Sequence, residues 1–263
     1  GTDSSGNSNT ATVQGTPIQT TDTCTNNSAN LLTFTGGNTN VDGRSQGMLI
    51  STSTTSQYAQ PFSSIAINSG KFYWEMKYTA LSGTNTNSGM GIVDTDTLYY
   101  ALYSGSSNSF YYSTDGQKVD SGSASSYGNS QSAGDIVQCA FDATNGAIWF
   151  GKNGTWQNSA TQSEIEAGTT TNAAFTDLVS SLPSQGWFFG GQNAGSPTAS
   201  TEINFGFGTY SISSGNTDSN GHGNFEYPPP ASFLSLNTAN LTAPTHFGCD
   251  QFSAVTYTGN GST

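Results

Sequence analysis

The chain is poor in the residues that usually do chemistry. Its two histidines, His222 and His246, stand in polar stretches next to Gly or close to Pro, and they have no ligand spacing between them. No Gly-x-Ser-x-Gly elbow is present. Two carboxylate pairs have the close spacing that glycosidase chemistry uses, Asp94 with Asp96 and Glu164 with Glu166. Residues two apart on a strand share a face, so Asp94 and Asp96 can stand together. Their threonine neighbours, Thr95 and Thr97, favour a strand-terminal turn instead, and Glu164 and Glu166 read as caps or solvated positions of a surface turn. Asp218-Ser219-Asn220-Gly221 has half of a calcium loop but no distal Glu, and Asp3-Ser4-Ser5-Gly6-Asn7 lacks the further carboxylates. No catalytic residue, metal site or cofactor is assigned.

Binding has better material. Tyr99, Tyr100, Tyr103, Tyr111, Tyr112, Tyr127 and Trp156 sit in or beside Ser/Gly/Asn loops. Aromatic surfaces ringed by adaptable amides and hydroxyls are what recognition sites favour. Consecutive tyrosines cannot both point inward on a strand, so one of Tyr99/Tyr100 and one of Tyr111/Tyr112 should face out. Such tyrosines serve either a ligand or a neighbouring module. Trp156, just beyond a tight turn, reads more as a core or rim plug than as a ligand contact.

The element that must carry these positions is Gly70-Lys71-Phe72-Tyr73-Trp74-Glu75-Met76-Lys77-Tyr78. Phe72, Trp74 and Met76 fall on one face of an extended chain and Lys71, Tyr73, Glu75 and Lys77 on the other. This strand should be central in a sheet, with one face in the core and the charged face at least partly solvated. Around it the chain alternates short apolar runs with turn signals, Asp115-Gly116, Asn145-Gly146 and Asn153-Gly154 among them. Gly89-Met90-Gly91-Ile92-Val93 alternates glycine with apolar residues, as expected where a strand passes close to another element. Residues 104–109 and 121–132 read as Ser/Gly loops, and 163–167 as one helical turn. About thirteen short strands at ~8–12-residue spacing predict an all-β, two-sheet antiparallel sandwich.

Composition agrees. Of 263 residues 33% are hydrophobic, 12% aromatic and only 8% charged, with 32 glycines. The aromatic content argues against disorder. A net charge of −12, from 17 acidic and 5 basic residues, disfavours nucleic acid and anionic membranes, because phosphate contacts need clustered Lys or Arg. No apolar run approaches the ~20 residues of a membrane-spanning helix, so no membrane insertion is expected. Cys139 lies in a strand-like run and reads as a small buried hydrophobe. Cys24 and Cys249 can pair only if the two flanks meet; otherwise both are free thiols. Three segments are predicted: a polar linker or edge segment over 1–30, the sandwich over 31–208, and a polar extension over 209–263 leading to a following module. The chain opens without Met and is read as a piece of something longer.

Gly70-Lys71-Phe72-Tyr73-Trp74-Glu75, Gly89-Met90-Gly91-Ile92-Val93, Gly134-Asp135-Ile136-Val137 with Phe141-Asp142, and residues 146–154 together resemble a SPRY domain. They stand where that concanavalin-A-like jelly roll has its GxxYWE, GI/GV, GD-hydrophobic and LxFxKNG elements. The resemblance covers roughly residues 31–208 and implies a binding fold. The flanks resemble modular structural proteins of tailed phages: Thr20-Thr21-Asp22-Thr23, Ile203-Asn204-Phe205-Gly206, and Tyr227-Pro228-Pro229 followed by Leu236-Asn237-Thr238-Ala239-Asn240-Leu241. This second resemblance implies a non-enzymatic virion module of a tail fibre or fibre-like protein. Its loops would meet a host-surface glycan or protein, and its partners would be other virion proteins and sister chains in a homotrimer. The alternatives are a capsid-decorating or spacer module with a purely structural role, and a carbohydrate-active enzyme on the same jelly roll. Residues 158–186 and 209–226 are longer and more polar than the family's usual connections.

Overall fold

The computed structural model describes residues 33–34, 49–51, 58–59, 61–94, 109–194, 198–207 and 210–241. Its centre is the strand singled out by period two, β5 (Lys71–Leu81). Phe72, Trp74, Met76 and Tyr78 enter the main core, while Tyr73 and Glu75 face the other way. One edge of β5 pairs with β10 (Ile136–Asp142) and the other with β14 (Ala199–Asn204), both antiparallel. Flanking these are β11 (Ala147–Lys152), β12 (Thr155–Trp156) and β2 (Leu49–Ser51), giving the order β12-β11-β10-β5-β14-β2.

The facing sheet contains β1 (Thr33–Phe34), β4 (Pro61–Ile67), β13 (Trp187–Ala194), β6 (Gly89–Val93), β7 (Ser109–Ser113), β8 (Gln117–Asp120) and β9 (Ser123–Ser126), in the order β1-β4-β13-β6-β7-β8-β9. A short β3 (Tyr58–Ala59) also pairs with β13. The all-β, two-sheet expectation is borne out. The Ser/Gly run 121–132, expected as a loop, contains β9, because the turn at Ser121 and Gly122, both at positive φ, folds the serine run back onto β8.

Between the sheets Trp74 stacks on Phe189 at 4.0 Å, and Phe72, Phe141 and Phe205 surround the same phenylalanine at 6.2 Å. Each such burial stabilises by roughly 1.5–3 kcal/mol. Gly91 explains the glycine alternation in β6. A Cβ there would meet Phe110 O at 2.0 Å and Tyr111 Cβ at 2.7 Å, so only glycine lets β7 lie so close.

The second face of β5 is half-exposed at Lys71 and Lys77 and open at Thr79, but its middle, Tyr73 and Glu75, is closed off from water, which corrects the sequence reading there. Tyr73, Ala140, Ala147 and Trp149 form a second apolar cluster on the outer side of the β5–β10–β11 sheet. It is covered by Ile165 of α1 (Gln162–Ala167), by Ala173, and by Phe225 and Phe233 of the C-terminal extension. Helix α1 starts with a capping box between Thr161 and Glu164, the role read for that carboxylate. Residues 234–235, as β15 (Leu234–Ser235), pair in parallel with Phe72 and Tyr73, where β14 does not reach. Asp218 clips the extension together: it accepts from the backbone N–H groups of Asn220, His222 and Ser235, and from the side chains of Ser235 and Asn240. Burial raises its pKa, but these donors outweigh burial and hold it below the usual range. Its oxygens are spent on the fold, not offered to a cation.

Glu75, fully buried, fastens this layer. Oε1 accepts from Tyr73 Oη at 2.9 Å and Tyr227 N–H at 2.8 Å, and Oε2 from Tyr210 Oη at 2.9 Å and Glu226 N–H at 3.0 Å. Burial raises its pKa, opposed by those same donors. A glutamine there would turn an N–H₂ group toward two donors. Glu75→Gln is expected to lower unfolding stability by about 2–4 kcal/mol in denaturant titration and to speed amide exchange in 210–241. A raised folded pKa means the folded state holds the proton more tightly than the unfolded chain. The contribution of Glu75 is thus complete below its unfolded pKa and is lost as pH rises through the folded one. The stability gap between wild type and Glu75→Gln should therefore widen as pH falls from neutral toward about 4.

Candidate functional site

Two loops, 126–129 and 155–159, make one groove. The first follows β9. After Ser126 the chain doubles back along the β7–β8 turn, with Tyr127 and Gly128 N–H donating to Gly116 O at 3.2 and 2.9 Å, and Gln131 N–H to Thr114 O at 2.7 Å. Tyr127 is driven inward as an apolar ring. It meets Tyr112 edge-on at 5.4 Å and Phe150 at 6.2 Å, and its hydroxyl accepts from Phe150 N–H at 3.1 Å. Burial pushes the Tyr127 and Tyr112 hydroxyls well above their ordinary pKa, so both stay neutral.

The second loop follows the tight turn at Asn153-Gly154, both at positive φ as a two-residue hairpin requires. Gly154 N–H donates to Gln138 Oε1 at 2.7 Å, and Asn153 Oδ1 accepts from Ile136 N–H at 2.9 Å. Trp156 turns onto the outer cluster, edge-on to Tyr73 at 6.5 Å. Asn158 and Ser159 then adopt φ of 55° and 61°, a strained pair of left-handed residues. Reciprocal bonds with Asn172 support them: Asn158 Nδ2 to Asn172 O at 3.3 Å and Asn172 Nδ2 to Ser159 O at 3.4 Å.

Gln157 ties the two loops. Its Oε1 accepts Asn129 N–H at 2.8 Å, and its Nε2 donates to Thr155 O at 2.9 Å. Tyr112 Oη donates to Asn129 O from below. The open space between 126–129 and 155–159 is about 590 Å³, and no lining residue is charged. The nearby cation Lys152 is engaged, with Asp135 at 2.8 Å and Ser130 O at 2.6 Å. The pKa of Asp135 is raised by burial but lowered further by hydrogen bonds from Lys152, Asn153 and Ser132. The groove can offer amides, hydroxyls and main-chain groups, and it holds no acid, base or nucleophile arranged for catalysis.

Of the sequence-predicted contacts, Tyr127 and Trp156 are brought together here, but at 7% and 8% exposure they are anchors beneath the surface. Tyr111 and Tyr112 do point to opposite sides of β7, yet both are 1% exposed. Tyr112 enters the main core. Tyr111 lies on the outer side, where Val93, Val119 and Phe188 pack against it and its hydroxyl donates to Thr86 O at 3.1 Å. The expectation that one of them is solvent-facing is therefore corrected: facing away from the core did not mean facing water. Tyr99, Tyr100, Tyr103, Asp96, His246, Cys24 and Cys249 lie outside the described residues, as does the 1–30 segment. Sequence reading missed Asn129, Gln157, Asn158 and Ser159. The signal available was the run of amides directly after two motif aromatics, and the left-handed backbone at 158–159 was not legible. Among the described residues no group of three or more His, Cys, Asp or Glu is placed to hold a metal ion, and no helix is long and apolar enough to cross a membrane.

Residues 71–175 match the family model of the SPRY domain. That span contains both groove loops and the β5, β6, β10 and β11 motifs. Among solved structures the chain is similar to the crystal structure of the SPRY domain of human HERC1, at 17% identity, covering 60% of this chain and 87% of that one with a TM-score of 0.45. No curated protein matches the chain.

Gly128 is the position on which the closeness of the loops depends. A Cβ there would meet Gln157 Oε1 at 2.6 Å, Gln157 Cβ at 2.8 Å and Tyr112 Oη at 2.8 Å. Gly128→Ala is expected to displace Gln157 from Asn129 and to cost about 1–3 kcal/mol in denaturant unfolding. A variant as stable as wild type would show that the loops are not held through this contact.

Proposed function

We propose that the chain is a non-catalytic recognition module and that the groove between residues 126–129 and 155–159 is its ligand face. The observation that carries this reading is an uncharged, amide-rich groove whose two walls are fixed to each other through Gln157 and to the rigid sheets behind them. Such a site binds by shape and short-range hydrogen bonds. The match of residues 71–175 to the SPRY domain supports an interaction role over catalysis. The setting we propose is a virion structural protein of a tailed phage, of tail or fibre type, with a host-surface glycan or protein as ligand and sister chains as neighbours. This setting is supported by the flanking motifs and by the near absence of charge.

One observation favours the competing spacer reading. Tyr111, Tyr112 and Tyr127 are all used in packing. A panel of intact bacterial cells and an array of bacterial surface glycans separate the two. Wild-type chain should bind a subset saturably. Thr155→Arg and Asn129→Arg, at exposed groove positions, should each weaken that binding roughly tenfold or more with unchanged melting temperature, the loss that about 1.4 kcal/mol represents. A folded chain that binds nothing, or that binds equally well in both variants, would move the assignment to a spacer.

A further inference from the structure

We infer that the ligand is an extended, uncharged peptide segment that adds to the sheet as a further strand along β9 and enters the groove at Ser126, an inference that rests on the recognition reading above. Its basis is the hydrogen-bond alternation of the β8–β9 hairpin. Ser121 N–H donates to Ser109 O at 2.9 Å, so Val119 and Gln117 direct their backbone groups toward β7, and Asp120 and Lys118 direct theirs toward β9. The partners of Asp120 and Lys118 are Ser123 and Ser125. Ala124 and Ser126 are left with N–H and C=O pointing away from the sheet, and among the described residues no strand pairs with that edge.

Edges of this kind are normally blunted by Lys, Pro, a bulge or a covering segment. β9, Ser-Ala-Ser-Ser, has none of the first three, and all four residues are exposed. It is also the last strand of its sheet, as β12 is of the other, and the groove lies between the two. A strand laid along β9 would run straight into it.

The groove's chemistry selects the occupant. Neither Tyr127 nor Trp156 presents a ring face on which a sugar could stack, whereas main-chain donors and acceptors stand ready at Ala124 and Ser126. No charged residue lines the groove, Lys152 is already paired, and a net charge of −12 disfavours acidic segments. Register adds one side-chain preference. Tyr111, Val119 and Ala124 are successive cross-strand partners on the outer face. A residue opposite Ala124 on the added strand would extend that row, and a small or β-branched residue such as Val or Thr suits it.

The test uses the full chain and a set of uncharged eight-residue peptides carrying Val or Thr at alternate positions among Ser, Asn and Gly, read by fluorescence anisotropy. Ala124→Pro removes one outward N–H while leaving the bonds to β8 intact, and Ala124→Val keeps it. At least one peptide should bind wild type and Ala124→Val alike, and bind Ala124→Pro roughly tenfold or more weakly. The same peptide N-methylated at alternate residues should lose binding to wild type, which carries the test if Ala124→Pro does not fold. The proposal is overturned if no peptide binds, or if binding ignores both backbone changes. Glycan binding lost in Thr155→Arg but kept in Ala124→Pro would retain the groove as a recognition site and overturn strand addition. Self-association abolished by Ala124→Pro would give the edge to a second copy and also overturn it.

Discussion

A single buried carboxylate sets the terms for the outer layer of this protein. An ionised group taken out of water without partners is among the costliest things a fold can contain. Glu75 sits under the C-terminal extension with each oxygen accepting two hydrogen bonds, one from a tyrosine hydroxyl and one from a backbone N–H group, at 226 or 227. Three of those donors, the Tyr210 hydroxyl and the two backbone N–H groups, exist only if residues 210–227 lie across the sheet, and that segment's own packing centre, Phe225, meets Tyr73 edge-on at 5.0 Å. The carboxylate and the apolar cluster around it therefore stand or fall together. The dependence reaches the groove, because Tyr73 bonds Glu75 and also backs Trp156. Gln138, the cross-strand partner of Glu75, holds the turn at Gly154 that precedes it.

Seen from the other side of the groove, the constraint is closeness. The loop at 127–131 is pinned to the β7–β8 turn by main-chain bonds, and Gly128 lets it lie against Gln157 and Tyr112. The two walls thus come from different sheets, each fixed by its own interior, and meet through one amide side chain. Rigid walls of this kind lose little conformational entropy on binding, which is the condition for a small neutral site to bind at all.

The sequence made some of this legible and concealed the rest for identifiable reasons. The alternation in Phe72, Trp74 and Met76 located the central strand and its inward face, and the glycines at 89 and 91 announced a close neighbour. Asn153-Gly154 announced a tight hairpin. All of these are local signals, determined by a residue's own backbone and its immediate neighbours. What failed was non-local. Glu75 reads as solvated because charge ordinarily marks water, and nothing near it in sequence says that a segment some 150 residues later supplies its donors. Tyr111 obeys the parity rule but lies under Thr86 and Phe188, which are distant in sequence and near in space. The serine run of β9 has no apolar alternation to betray it. It is a strand because a left-handed turn at 121–122 folds it onto β8.

The placement of the basic residues bears on how such a module would meet a partner. Each described lysine ties one segment of the fold to another. Lys71 lies 3.6 Å from Asp142 and over the Phe233 ring, Lys77 over Tyr210, Lys118 against Ala174 O and Phe175, and Lys152 between Asp135 and Ser130 O. Cations committed in this way are poorly placed to steer an incoming ligand, and the remaining field of a chain with net charge −12 repels anions. A partner on the proposed face would gain little from long-range attraction. Its discrimination would come at contact, where a misplaced hydrogen bond at a backbone edge leaves two groups unpaired. Recognition of that kind is slow to form and insensitive to salt, and it suits a surface that must ignore most of what it touches.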